Sequence, residues 1–428
     1  MKLDRTIQPL KKDIKKIEIP QMNLQVLPNG IPLHVLSMGE QDVCRLDIMI
    51  AAGKWEQSKK LVASFTNLLI KEGAGNMGPK ELAEKLDFYG AWLQVSQTYH
   101  HAYLTLYAPT RYFYELLALL ELIVKQASFP EAELHTHLER KLQQFLVDQE
   151  KVQSLALKKF SQALFGKKHP YSNDLEKKDF SNLKRNDLLS FYSEHYHSKN
   201  TRIFVSGKIN DTMIQAIEKS FGTDTWGSVQ ENKHSDFLIQ ASPKKILWVE
   251  KPDAMQNAIR MGLPVIDRMQ PDFNKFRIMN TILGGYFGSR LMSNIREDKG
   301  YTYGISSSIT SLKHASYLSI ASQTACEFSQ PLIDEVHIEI SRLQNEFITI
   351  EELDMVRNYM LGDFVRNLDG IFSLSDLYIS MYANDLPETY FSKQVEDIQS
   401  VSKEDIMEMA QKHLKKEEIY IIIAGTKK

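Results

Sequence analysis

Sliding the chain along itself by 218 residues lays DFSNLKRNDLLSFYSEHYHSKNTRIFVSGKI, which starts at Asp179, over DIQSVSKEDIMEMAQKHLKKEEIYIIIAGTK, which starts at Asp397, without a gap. Asp187 falls on Asp405, His195 on His413 and Gly207 on Gly425, and the apolar strand positions agree in type. A helix-strand unit repeated at this distance implies two copies of one building block. The 428 residues are also too many for one ordinary core. Two halves are therefore expected, residues 1–222 and 244–428, joined by a polar linker over 223–243. The second half opens with a strand near 246–249.

Within the first half, residues 24–27 and 33–36 flank Pro28-Asn29-Gly30, a turn signal between two apolar runs, and so form a hairpin. Strands follow at 46–52, 92–96, 102–108 and 202–206, and helices at 59–71, 79–89, 112–126, 130–150, 152–165 and 187–195. Hairpins grouped with runs of helices, rather than strict alternation, point to α+β halves with helices on one face of a mostly antiparallel sheet.

A net charge of −2 creates no field for a polyanion, so nucleic acid and acidic membranes are poor partners. Cys44 and Cys326 are too few for a disulfide framework or a cysteine-rich zinc site, and are expected as reduced core thiols. No apolar run reaches the roughly 18 residues of a membrane span. The stretch 1–20 is charged throughout, with Asp4, Asp13 and Glu18, and reads as neither a secretory signal nor a transit peptide. The expected location is cytoplasmic.

Recognisable chemistry is concentrated in NTILGGYFGSRLMSNIREDKGYTYGISSS, residues 280–308. Leu283, Leu291 and Ile295 recur at near-helical spacing, and from Tyr301 the pattern becomes that of a strand. Arg296 then ends the helix and Tyr303 opens the strand, so a cation and a phenol seven residues apart converge before the turn Glu297-Asp298-Lys299-Gly300. Such a pair can hydrogen-bond a peptide carbonyl and hold the charge that develops on it during attack. The same residues also have a purely structural use, Arg296 against a helix dipole and Tyr303 as half-buried packing. Gly284, Gly285 and Gly288 make no phosphate loop, since no Gly-Lys-Ser/Thr follows them.

LGGYFGSRLMSNIREDKGYTYG resembles the C-terminal-half signature of the pitrilysin-type zinc peptidases, the group that includes insulin-degrading enzymes and mitochondrial processing peptidases. The resemblance extends through the helix-glycine-helix of 59–90, Phe129-Pro130 before a long helix, and His169-Pro170-Tyr171. It implies two similar halves from an internal duplication, closing like a clam shell around a peptide chamber. It also implies that Arg296 and Tyr303 contact the substrate backbone beside a zinc ion.

Zinc catalysis needs three protein ligands, an open position for water and a carboxylate base. In the family these come from H-x-x-E-H on the first long helix and from a later Glu. Set against that pattern, the first His becomes Ala63, the base Thr66, the second His Asn67 and the distal Glu Gln144. Ala63 has no ligand atom, Thr66 is no base at neutral pH, and the amides of Asn67 and Gln144 are weak partners for zinc. No HxxEH or HExxH occurs anywhere in the chain, and no two histidines stand at i,i+4 spacing. The histidines are expected as surface or core residues.

The resemblance and the missing motif together imply a non-catalytic subunit of a heterodimeric peptidase. No metal or other cofactor is expected in this chain. Zinc and HxxEH belong to a similar-sized partner, the substrate is an unstructured peptide, and Arg296 and Tyr303 act in trans. The alternative is a self-associating peptide-binding or scaffold protein without catalysis, which needs neither residue. A self-sufficient hydrolase with an unfamiliar metal site is set aside for want of a ligand cluster.

Overall fold

The computed structural model describes Thr6, Ile14 and residues 17–172, 174–227 and 237–427. Residues 228–236 of the expected linker, and most of the stretch 1–16, lie outside the described residues. β1 (Asn23–Val26) and β2 (Pro32–Ser37) form the expected hairpin, closed by the Leu27 N–H on the Ile31 carbonyl at 2.9 Å. There follow β3 (Val43–Ile50), α1 (Val62–Leu69), α2 (Pro79–Phe88), β4 (Trp92–Gln97), β5 (Ala102–Pro109), α3 (Phe113–Lys125), α4 (Glu131–Gln149) and α5 (Val152–Phe165). The first half ends with α6 (Lys177–Asn182), α7 (Arg185–His195), β6 (Thr201–Gly207) and α8 (Asp211–Ile217). The second runs β7 (Ile246–Glu250), β8 (Gln256–Val265), α9 (Phe273–Asn280), β9 (Thr302–Ser311), β10 (Ser316–Ala325) and α10 (Ser329–Asn345). It closes with α11 (Ile350–Leu368), α12 (Ile371–Ala383), α13 (Tyr390–Ser400), α14 (Lys403–His413) and β11 (Tyr420–Gly425).

Two mixed sheets result, and the architecture is α+β. Their orders are β1-β2-β6-β3-β5-β4 and β7-β11-β8-β10-β9. Each has one parallel pair, β2 with β6 and β11 with β7, and is otherwise antiparallel. With β1 set aside, the two sheets have the same strand order and the same pattern of directions. Gly207 and Gly425 end β6 and β11 with φ of 123° and 149°. A Cβ there would stand 2.5 Å from the Val43 carbonyl oxygen or 2.0 Å from Asn257 Oδ1, so only glycine closes either strand in this way.

Each sheet carries its own half's helices on one face, as expected, and a helix of the other half on the opposite face. α5 buries Ala156, Phe160, Ala163 and Leu164, an i, i+4, i+7, i+8 stripe, against β8 and β11 of the second sheet. Burying Phe160 and Leu164 contributes about 1.5–3 kcal/mol each. Gly262 of β8 makes room, since a Cβ on it would meet Phe160 Cζ at 2.8 Å. In return α12 packs on β6 of the first sheet, with Tyr382 over His34 at 4.0 Å between ring centres.

A buried polar group fastens this exchange. Arg45 donates through Nε and Nη2 to Asp47 Oδ1 at 3.1 and 2.8 Å, and Thr105 Oγ1 donates to the same oxygen at 2.7 Å. Arg45 Nη2 also reaches Asp376 of α12 at 2.6 Å, so the cation bridges the two halves. Cys44 is a free core thiol whose pKa burial pushes up to about 12, whereas Cys326 is free but only partly buried, against the expectation of two core thiols. Among the described residues no helix is long and apolar enough to cross a membrane.

Candidate functional site

The sequence spacing predicts one helix running through Leu283 to Arg296, and the structure breaks it. α9 loosens into a wider turn over Thr281–Gly285, the chain turns extended at Tyr286 (φ −149°, ψ 173°), and a second wide-turn segment covers Met292–Asp298. Wide turns of this kind are frequent at functional positions. Leu283, Leu291 and Ile295 are nevertheless fully buried, so the apolar spacing correctly identifies the inward face. The Tyr301 N–H on the Ile295 carbonyl at 3.0 Å then launches β9, the edge strand of the second sheet.

Arg296 stands in the last turn of that segment. Its guanidinium carbon lies 4.8 Å from the ring centre of Phe287 and 5.5 Å from that of Tyr303, the second residue of β9. Cation–π contacts at accessible sites are worth about 0.5–1 kcal/mol each and leave the N–H donors free. Tyr303 is 92% exposed, which excludes the packing use of this side chain. Among the described residues neither side chain has a hydrogen bond or ion pair, so both are available to a ligand.

The four positions set against the zinc motif, Ala63, Thr66, Asn67 and Gln144, are built into the first half to different degrees. Ala63 and Thr66 of α1 are fully buried, and the Thr66 hydroxyl has no partner. Asn67 donates to the Ser96 carbonyl on β4 at 2.6 Å and accepts from Tyr196 Oη at 3.4 Å. Gln144 on α4 is exposed. Asn67 and Gln144 line one cavity of about 460 Å³, bordered by residues 95–97 of β4, the edge strand of the first sheet. Asp148, one turn beyond, is held below the usual carboxylate range by bonds from Lys151 and Gln144. Among the described residues no hydrogen bond or ion pair joins this cavity to Arg296 or Tyr303.

One cluster is invisible to the sequence patterns considered above. Glu72, Glu133 and His137 bring a ligand atom each to within 4.8 Å of one another. Its signal is the pair Glu133 and His137, four residues apart on α4, which a comparison of histidines alone passes over. Arg140 Nη2 lies 2.9 Å from His137 Nδ1 and donates to it, leaving the ring proton on Nε2, which faces Glu72 at 3.6 Å. In that tautomer the remaining lone pair, on Nδ1, is engaged by Arg140. Burial lowers the His137 pKa despite the pull of Glu72.

Comparison with known proteins matches residues 182–360 to the Peptidase M16 inactive domain. The chain is 24% identical to an uncharacterized zinc protease of Rickettsia felis, over 78% of this chain and 80% of that one. It is 22% identical to the non-peptidase homolog YmxG of Helicobacter pylori, over 84% and 83%. In fold it is similar to a peptidase M16 inactive domain from Pseudomonas fluorescens, with a TM-score of 0.84, 22% identity and coverage of 96% and 99%. The periplasmic protease PqqL of Escherichia coli gives a TM-score of 0.80 at 14% identity, covering 100% of this chain and 49% of that one.

Proposed function

We propose that the chain is an inactive-type member of the M16 peptidase family, a reading supported by the match over residues 182–360, and that it is the non-catalytic subunit of a heterodimeric zinc peptidase. One observation carries the reading: half-buried Arg296 and exposed Tyr303 converge at an edge strand, and among the described residues neither side chain makes a hydrogen bond or ion pair. The shared strand order of the two sheets supports an internal duplication, and with it a clam-shell pairing of halves. That this chain fills only 49% of the E. coli protein suits a working unit built from two such lengths.

Zinc, held by the partner's HxxEH motif, supplies the activated water. An unstructured peptide lies along a sheet edge, pairing through its backbone. Tyr303 Oη and the Arg296 guanidinium donate to the scissile carbonyl and stabilise the charge that grows on its oxygen, more strongly in the transition state than in the neutral peptide. Gln144 and Asn67 take no part, and the subunit alone hydrolyses nothing. The cytoplasmic location is part of the same proposal, tested by fractionating the native source.

The deciding experiment isolates the protein from that source and asks whether a chain of similar size carrying HxxEH comes with it and cleaves peptides. Recovery of a homodimer alone, with no such chain, would replace this reading with that of a self-associating peptide-binding scaffold.

A further inference from the structure

Away from the Arg296 site, the second half holds an enclosed cation that, among the described residues, has no ion-pair partner. Arg277 of α9 lines a cavity of about 440 Å³, together with Arg268, Tyr390, Gln394, Asn280 and Ser308. The guanidinium is enclosed, although the residue as a whole is only half-buried. Among the described residues neither Arg277 nor Arg268 makes a hydrogen bond or an ion pair, and the hydroxyl of Tyr390 donates to nothing. Asp363, the one acid in the lining, is engaged by Arg366 at 2.5 Å.

Burying a charge without a partner is expensive, and two like charges sharing a cavity make it more so. Burial and the neighbouring Arg268 both pull the Arg277 pKa down, opposed by Tyr390 and Asp363. Folding gains nothing from such an arrangement, whereas an anion seated between the two guanidiniums satisfies both. Planar guanidinium forks match carboxylate and phosphate oxygens. The remaining walls include the aromatic rings of Phe273, Phe364 and Phe391, which suit an apolar body rather than a bare ion.

We propose that this cavity binds a small organic oxyanion, a carboxylate or a phosphate monoester with an apolar body, held by Arg277 and Arg268. The site is independent of the subunit reading, since its test needs neither the partner chain nor peptide cleavage. Phenylacetate and phenyl phosphate are titrated separately into the full-length chain, by calorimetry and by thermal melting, so the two arms distinguish the oxyanion. At least one probe binds and raises the Tm. Arg277→Met and Arg268→Gln each weaken that binding about tenfold or more, as expected for loss of a charge-assisted bond. Without probe, Arg277→Met melts at or above the wild-type temperature, because the change removes an uncompensated charge. The proposal is overturned if neither probe binds at about 10 mM, or if binding survives both substitutions. A lower Tm for unliganded Arg277→Met also overturns it, since the arginine is then structural. If that variant fails to fold, Arg268→Gln is read alone, and undiminished probe binding by it overturns the proposal.

Discussion

The two sheet edges differ in what the fold does with their polar side chains. Beside β4, Ala63 and Thr66 are sealed in the core and Asn67 spends its amide on the Ser96 carbonyl. Beside β9, Arg296 touches only two rings and Tyr303 projects into solvent. Side chains at the first edge serve packing and backbone hydrogen bonding. Those at the second edge make, among the described residues, ring contacts only.

Restoring chemistry to the first edge is the severest way to break this contrast. Ala63→His, Thr66→Glu, Asn67→His and Gln144→Glu together should give stoichiometric zinc binding, where the unchanged chain is expected to hold far less than one zinc after dialysis. The same change should lower stability, because an imidazole at the fully buried Ala63 position overpacks the core by about 1–3 kcal/mol. A folded quadruple variant with no gain in zinc would show that the register of the motif is wrong.

Removing chemistry from the second edge comes next in size. In the reconstituted heterodimer, Tyr303→Phe should lower kcat by about 10²–10³, the cost of one oxyanion donor. Arg296→Ala should lower kcat/KM at least as much. Tyr303→Phe should leave the Tm of the isolated chain unchanged, since the ring is kept, and Arg296→Ala should cost it only about 0.5–1 kcal/mol for each of its two ring contacts. Wild-type turnover in both assembled variants would make the subunit's contribution non-catalytic.

Acid should act on the seam between the halves, not on either edge. His34, against Tyr382 of α12, is lowered to about 3 by burial and by Arg202. His100, against His314 of the second half, is lowered to about 3 chiefly by burial. The unfolded chain takes up these protons near the ordinary value of 6.5 and the folded chain refuses them. Their contribution is therefore present above about pH 6.5 and is lost as pH falls towards 3. Urea midpoints measured between about pH 7 and pH 4 should fall steadily, and a flat profile would count against this.

The smallest effect compares the two copies of one helix. Ser402 caps α14, accepting from the Asp405 N–H at 3.1 Å, whereas its counterpart before α7 is Lys184, whose side chain makes no cap. Ser402→Ala should cost about 1 kcal/mol, and Lys184→Ser should return up to a similar amount. Chemical denaturation reads both.

The repeat at 218 residues and the turn at Pro28-Asn29-Gly30 made strands and hairpins legible, because local periodicity and turn chemistry write them into short stretches. The convergence of Arg296 and Tyr303 was legible for the same reason, lying seven residues apart across one turn. The break at Tyr286 was not, since Leu283, Leu291 and Ile295 keep helical spacing on both sides of it. Nor was the destination of α5. Its stripe of Ala156, Phe160, Ala163 and Leu164 says that a face is buried and is silent about which sheet buries it. The Arg277 cavity draws on α9, α11 and α13, too far apart in sequence for spacing to reveal.

The exchange of α5 and α12 bears on how such a chain arose. Half of it, alone in solution, would leave the stripe of its lent helix uncovered and one face of its sheet bare. On the proposed duplication, an ancestor of half the length would have covered these faces as two identical chains, each clasping the other's helix. Joining them end to end would then have fixed an existing embrace rather than invented one, and freed each half to change without its twin. On that proposal, the bonded Asn67 at one edge and the exposed Tyr303 at the other are such changes.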